Sequence, residues 1–228
     1  MKISGAIFDM DGTLLDSMYI WNTTATRYIT QKGLKAEEGL DATFKNFTLP
    51  EAAEYFKMHY GLTESKETII DEINGMTEDA YRNEVKAKDG LPVLLEYMQS
   101  KGIKMCVATV TDRYLAEIAL KRAGIRQFFD EIFTCSEIGA GKHEPKIYET
   151  ALTFLGVPKE EVLVFEDAHY AITTAKNAGF SVVGIFDESY AAKWQETKDL
   201  ADFAVVSYRK SFEKWSERYE KSTDDSGL

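Results

Sequence analysis

The sequence predicts an α/β fold, a doubly wound parallel sheet with a helical domain inserted near its start, and three observations carry that expectation. Short apolar runs recur at Ile3 to Asp9, Ile103 to Thr109, Glu131 to Cys135, Val162 to Glu166 and Ser181 to Phe186, with a weaker one at Phe203 to Val206. Amphipathic helical patterns separate most of them, and continuous apolar strands alternating with such helices belong to parallel sheets covered on both faces. Between Asp9 and Ile103 lie 93 residues, far beyond what a single crossover helix needs, so something is inserted there.

The first strand ends in Phe8-Asp9-Met10-Asp11-Gly12-Thr13. Side chains along a strand repeat every second residue, so Asp9 and Asp11 start out facing one way, and Gly12 lets the chain turn just beyond them. Two like charges this close call for a bound cation, a shared proton or both. A loop with two solvated acids is the plain competitor. A calcium loop of the EF-hand kind fails, because Thr13 and Leu14 stand where an acid or Asn and then Gly are needed.

The insert, Ser17 to Lys88, reads as helices only. Trp21, Ala25, Tyr28 and Ile29 share one face; Pro50 opens a helix through Phe56 that Gly61 closes; Ile69, Ile70, Ile73, Met76, Ala80 and Tyr81 keep the three-and-four spacing. Its aromatics, Trp21, Tyr28, Phe44, Phe47, Tyr55, Phe56 and Tyr60, are expected mainly to form its own core, with a few facing the cleft.

Beyond the insert, Leu91 to Ser100 carries Leu94, Leu95 and Met98 on one face and is closed by Gly102. Arg113 to Arg122 repeats the theme before Gly124, Tyr148 to Leu155 ends at Gly156, and Tyr170 to Ala178 ends at Gly179. Tyr208 to Tyr219 is amphipathic, and Ser222 to Leu228 is polar enough to fray. The expected division is a core of residues 1–16 and 89–221, a helical cap of 17–88 and a flexible tail of 222–228.

In open parallel sheets ligands bind beyond the carboxyl ends of the strands. Polar residues at those ends are therefore the candidates: Thr109-Val110-Thr111 after the second strand, Gly141-Lys142 after the third, Glu166-Asp167 after the fourth. Thr109 and the backbone N–H groups that follow it can hold phosphate oxygens, or can merely cap a helix. A loop lysine is ordinarily a solvated charge, and Asp167 could cap the helix near Tyr170 while Glu166 stays exposed.

The stretch DMDGTLLDS, together with these later stations, resembles the haloacid dehalogenase-like superfamily with a helical cap, in its β-phosphoglucomutase and phosphatase branch. The resemblance implies that Asp9 is a nucleophile toward phosphorus and Asp11 a general acid and base. It implies that Thr109, Val110 and Lys142 bind the phosphoryl group, Thr109 and Lys142 also serving catalysis. Mg2+ would be held by Asp9, the backbone carbonyl of Asp11, Glu166 and Asp167, directly or through water. Gly141-Lys142-His143-Glu144-Pro145-Lys146 resembles the family's GKPxP pattern, and Lys146 departs from its frequent Asp. Ala168 replaces a frequent Ser, which alters a supporting hydrogen bond and leaves the ligands intact.

The implied activity is hydrolysis of a small phosphate monoester of a sugar, polyol or similar metabolite through an aspartyl phosphate. The closest rival is a β-phosphoglucomutase-like phosphomutase. Such mutases grip a second phosphate with a cap arginine, and in the segment from Lys45 to Ala52 the comparable position is Leu49, which favours hydrolysis. A receiver domain needs neither the insert nor an acid two residues after the nucleophile. A silent binding protein is disfavoured because no catalytic residue type is missing, and dehalogenation because halide departure needs no acid such as Asp11.

The totals narrow the partners. Lys and Arg number 27 against 38 Asp and Glu, a net charge of −11 over 228 residues, which argues against nucleic acid and anionic membrane surfaces. Cys106 and Cys135 lie in or beside apolar runs and read as reduced packing residues. His59, His143 and His169 have no zinc spacing, and oxygen ligands suit a hard cation such as Mg2+. With a strand starting so near Met1 and no apolar run of spanning length, a cytoplasmic monomer without signal peptide or membrane span is expected.

Overall fold

A computed structural model describes residues 2–44 and 47–211. The expected helix from Tyr208 to Tyr219 runs past the described residues, and the tail of 222–228 lies outside them.

Six parallel strands, β1 (Gly5–Phe8), β2 (Lys104–Thr109), β3 (Glu131–Thr134), β4 (Val162–Glu166), β5 (Ser181–Ile185) and β6 (Phe203–Val205), form one sheet in the order β3-β2-β1-β4-β5-β6. Each expected strand is present, shortened by a residue or two at its ends in five of the six cases. Chain order reverses at β1, so the crevice beyond β1 and β4 is the switch point where such sheets take their ligands.

Alternation along the strands sorts the core into two layers. Ala6 and Phe8 face one side, where helices α6 (Leu91–Ser100) and α7 (Arg113–Arg122) bury Leu94, Leu95, Met98, Leu115 and Leu120. Ile7 faces the other, against α9 (Lys146–Leu155) and α10 (His169–Asn177) through Ile147, Tyr148 and Ile172. Phe8 stacks on Phe165 of the neighbouring strand with ring centroids 4.2 Å apart. Each such fully buried side chain contributes about 1.5–3 kcal/mol, so the strand ends that carry the polar residues stand on a rigid base.

Between β1 and β2 lie helices α1 (Met18–Trp21), α2 (Thr24–Gln31), α3 (Leu40–Phe44), α4 (Leu49–Tyr60) and α5 (Lys66–Asn83). They share a separate cluster of buried residues that includes Tyr28, Ile29, Leu40, Phe44, Phe56, Ile69 and Ile73. Helix α4 begins one residue before Pro50, with Thr48 and Glu51 in a capping box, and Gly61 ends it in a left-handed conformation. The two chain passages joining this insert to the sheet pair with each other: Asp16 N–H donates to the Lys86 carbonyl at 3.0 Å, and Leu15 bridges to Ala87. The buried stripe of α5 is less apolar than the spacing implied, since Asn74 and Thr77 are buried within it. No described helix is long and apolar enough to cross a membrane.

Candidate active site

Register brings the acids together. Phe8 pairs with Phe165, and Asp9 N–H donates to the Phe165 carbonyl at 2.9 Å, so Asp9 and Glu166 leave adjacent strands side by side. Gly12 then turns at φ +85, and a Cβ there would lie 2.2 Å from Asp167 Oδ2. Only glycine admits both the conformation and that carboxylate.

One pocket is lined by Asp9, Asp11, Val110, Lys142, Glu166 and Asp167 from the strand ends, and by Thr111 beside them. Lys142 is buried, 3% exposed, and its Nζ donates to both Asp9 Oδ1 and Glu166 Oε1. The solvated-lysine alternative therefore fails. Glu166 is buried, not exposed, and Tyr148 donates to its Oε1 at 2.9 Å. Asp167 does not cap α10, whose N-cap is Ala168. Instead it accepts from the Thr13 hydroxyl at 3.0 Å through Oδ1, while its buried Oδ2 has no hydrogen-bond partner.

Burial dominates the electrostatics. It pushes the Asp9 carboxyl up to about 7, against the pull of Lys142 and with the repulsion of Glu166. Asp167 is raised well above the usual carboxylate range by burial and then by Asp9. Burial opposes the charge of Lys142, yet Asp9 and Glu166 hold its ammonium well above the ordinary lysine value. One cation thus faces a cluster of acids. The carboxylates of Asp9, Glu166 and Asp167 can offer oxygens within 4.8 Å of one another, and Asp167 carries an orphaned buried Oδ2. An all-oxygen donor set with one unspent buried oxygen fits a hard divalent cation such as Mg2+.

Asp11 stands apart from that cluster. Its Oδ1 accepts from the Ser17 and Tyr81 hydroxyls at 2.6 Å each, and its Oδ2 from the Thr111 hydroxyl at 2.6 Å. These bonds favour the charged form, but burial outweighs them and raises the carboxyl. Trp21 Nε1–H donates to Tyr81 Oη at 3.0 Å and fixes that ring.

Thr109 lies behind the pocket wall, where its hydroxyl accepts from the Thr111 N–H at 3.1 Å, while Val110 and Thr111 form the wall itself. Reading from sequence gives no individual role to Thr111, Ser17, Tyr81, Thr13 or Tyr148. Two signals were available: Thr111 sits two residues past Thr109 in the same loop, and a buried tyrosine such as Tyr81 or Tyr148 needs a partner for its hydroxyl. Among the histidines, His143 stacks on Tyr170, His59 stacks on Tyr55, and His169 lies 3.3 Å from the Thr197 hydroxyl. Both cysteines are free and buried.

The model of the haloacid dehalogenase-like hydrolase family matches residues 6–185. The chain belongs to that family. It is 30% identical over 182 residues to validoxylamine A 7′-phosphate phosphatase of Streptomyces hygroscopicus subsp. limoneus, covering 79% of this chain and 84% of the relative. It is 28% identical over 177 residues to a phosphorylated carbohydrates phosphatase of Thermotoga maritima, covering 78% and 82%. In fold it resembles β-phosphoglucomutase of Clostridium difficile, with a TM-score of 0.77 at 21% identity over 97% of this chain and 99% of that one.

Proposed function

We propose that this haloacid dehalogenase-like enzyme is a Mg2+-dependent phosphatase that hydrolyses a small phosphate monoester of a sugar, polyol or similar metabolite. The observation that carries the reading is the convergence of Asp9, Asp11, Lys142, Glu166 and Asp167 on one pocket at the switch point of the sheet. The phosphatase names of the relatives support it.

Asp9, Glu166 and Asp167 would hold Mg2+, with the Asp11 carbonyl as a further donor, and the ion would supply charge neutralisation between carboxylate and phosphoryl group. Lys142 adds a fixed positive charge beside Asp9 and orients its carboxylate. Val110, in the pocket wall, would offer its backbone N–H to the phosphoryl oxygens, with Thr109 supporting the turn from behind. An Asp9 oxygen attacks phosphorus; the bond to the ester oxygen breaks, and Asp11, whose carboxyl burial raises, gives that oxygen its proton. The alcohol leaves. Asp11 then takes a proton from water, whose oxygen attacks phosphorus, and phosphate and free Asp9 result.

We further read residues 17–88 as a cap that shields the first step from bulk water, on a core of 1–16 and 89–221. Gly141 brings the lysine loop against it, since a Cβ there would lie 3.2 Å from Thr48 Cγ2. Leu49 lines the pocket, which speaks against a mutase grip on a second phosphate.

The test is phosphate release from a panel of small esters with Mg2+ and with EDTA, separating free phosphate from isomerised product. Release that needs the metal is expected. Full turnover in EDTA contradicts the metal assignment, and isomerisation without release contradicts hydrolysis.

A further inference from the structure

The pocket is divided sharply between charge and grease. Its core side carries the acids and Lys142, whereas every described cap residue in the lining is apolar or aromatic: Met18, Trp21, Phe44, Phe47 and Leu49. The single polar group among them, Trp21 Nε1–H, is spent on Tyr81. Phe44 and Leu49 are buried, but Trp21 and Phe47 are only half-buried and keep apolar surface toward the opening. Tyr170 and Tyr190, also half-buried, add aromatic walls from the core side.

We infer that the cap selects monoesters whose leaving alcohol is uncharged and carries a ring, and that it rejects esters bearing a second phosphate; this rests on the phosphatase reading above. Lys142 is the one cation among the described lining residues, and Asp9 and Glu166 both hold it. A second phosphate pressed toward Leu49 and Phe47 loses its water and gains no described donor or counter-charge, which is costly. The excess of acids on the floor adds repulsion. A neutral ring gains instead, because it covers the open faces of Trp21 and Phe47 by apolar burial and ring contact. An acyclic polyol brings no ring to those faces.

The experiment compares kcat/KM for glucose 6-phosphate, uridine 5′-monophosphate, glycerol 3-phosphate and glucose 1,6-bisphosphate in Mg2+. It pairs this with calorimetric binding of the same four to the Asp9→Asn protein. The better ring monoester is expected to exceed both glycerol 3-phosphate and the bisphosphate by roughly tenfold or more in each readout, the scale of a modest apolar contact. Phe47→Ala should shrink the margin over glycerol 3-phosphate, and Leu49→Arg the margin over the bisphosphate. Equal or stronger binding of the bisphosphate or of glycerol 3-phosphate overturns the inference. Absence of turnover with the binding order intact overturns the phosphatase reading and leaves the selectivity standing.

Discussion

The two sides of the pocket are built on opposite principles. On the core side, charged groups are held by one another: Lys142 by Asp9 and Glu166, Asp11 by three hydroxyls, Asp167 by Thr13. On the cap side, ring and aliphatic surface is offered with almost no hydrogen-bonding capacity. A preorganised polar floor can stabilise developing charge without rearranging, so it fixes the reaction. On the selectivity inferred above, an apolar roof would distinguish esters by shape and by what they cannot hydrate, and so would set the substrate. The sides meet at Tyr81, a residue of the inserted helix α5 whose hydroxyl reaches Asp11.

Changes to the floor should cost the most. Lys142→Ala should lower kcat by roughly a hundredfold or more, as loss of a charge-stabilising donor does. It also leaves Asp9 and Glu166 without their buried counter-charge, so thermal stability should fall as well. Unchanged kinetics in phosphate release would return Lys142 to a bystander.

Gly12→Ala comes next. Its Cβ would collide with Asp167 Oδ2 and its φ disfavours any side chain, so Asp167 must shift. The Mg2+ concentration for half-maximal activity should rise about tenfold or more, the usual cost of disturbing a ligand's surroundings. A metal titration identical to wild type would show that Asp167 does not depend on this turn.

The floor should also write itself into the pH dependence of the metal-free protein. Burial raises Asp9 to about 7, and raises Asp11 and Asp167 above their ordinary range. The native state therefore keeps protons that the unfolded chain releases near pH ~4. The contribution of Asp9 is fully present below that value and is lost as pH rises through about 7, and those of Asp11 and Asp167 are lost above the ordinary carboxylate range in the same direction. In EDTA, the Tm should fall between about pH 5 and about pH 8, and Mg2+ should flatten the slope. A rising Tm in calorimetry across that window would contradict the burial account.

The roof's own architecture should matter least to chemistry. Thr48→Ala removes the hydroxyl that accepts from Glu51 N–H and weakens the capping box of α4, costing about 1 kcal/mol in chemical denaturation. Little change in kcat is expected. A large drop would mean that the contact between Thr48 and the Gly141 loop helps to place Lys142.

The same contrast explains what the sequence could reveal. Asp9, Val110, Glu166 and Asp167 sit at or just past the ends of apolar strands, with Lys142 in the longer loop after β3, and a parallel sheet gathers strand ends by topology alone. Helices α6 and α7 carry complete periodic faces, and their bounds match expectation. Tyr81 looked like one more apolar position on a helix face, because its partner Asp11 is 70 residues away and only the folded insert brings them together. The sequence offers the Thr109 hydroxyl to phosphoryl oxygens, whereas in the fold it accepts from the Thr111 N–H behind the pocket wall, a local bond that residue type does not disclose. The apolar roof was legible as aromatic content and not as a surface, since which rings face inward depends on how α1, α3 and α4, which carry or flank them, pack.

The central claim is that Asp9 becomes covalently phosphorylated. The direct measurement is a single turnover with a phosphate monoester, quenched in acid, trapped with borohydride and mapped by peptide mass spectrometry. The account predicts reduction of the acyl phosphate at Asp9 alone, with no trapped product and no turnover in the Asp9→Asn protein. A trapped group on any other residue, or undiminished phosphate release by Asp9→Asn, would contradict it.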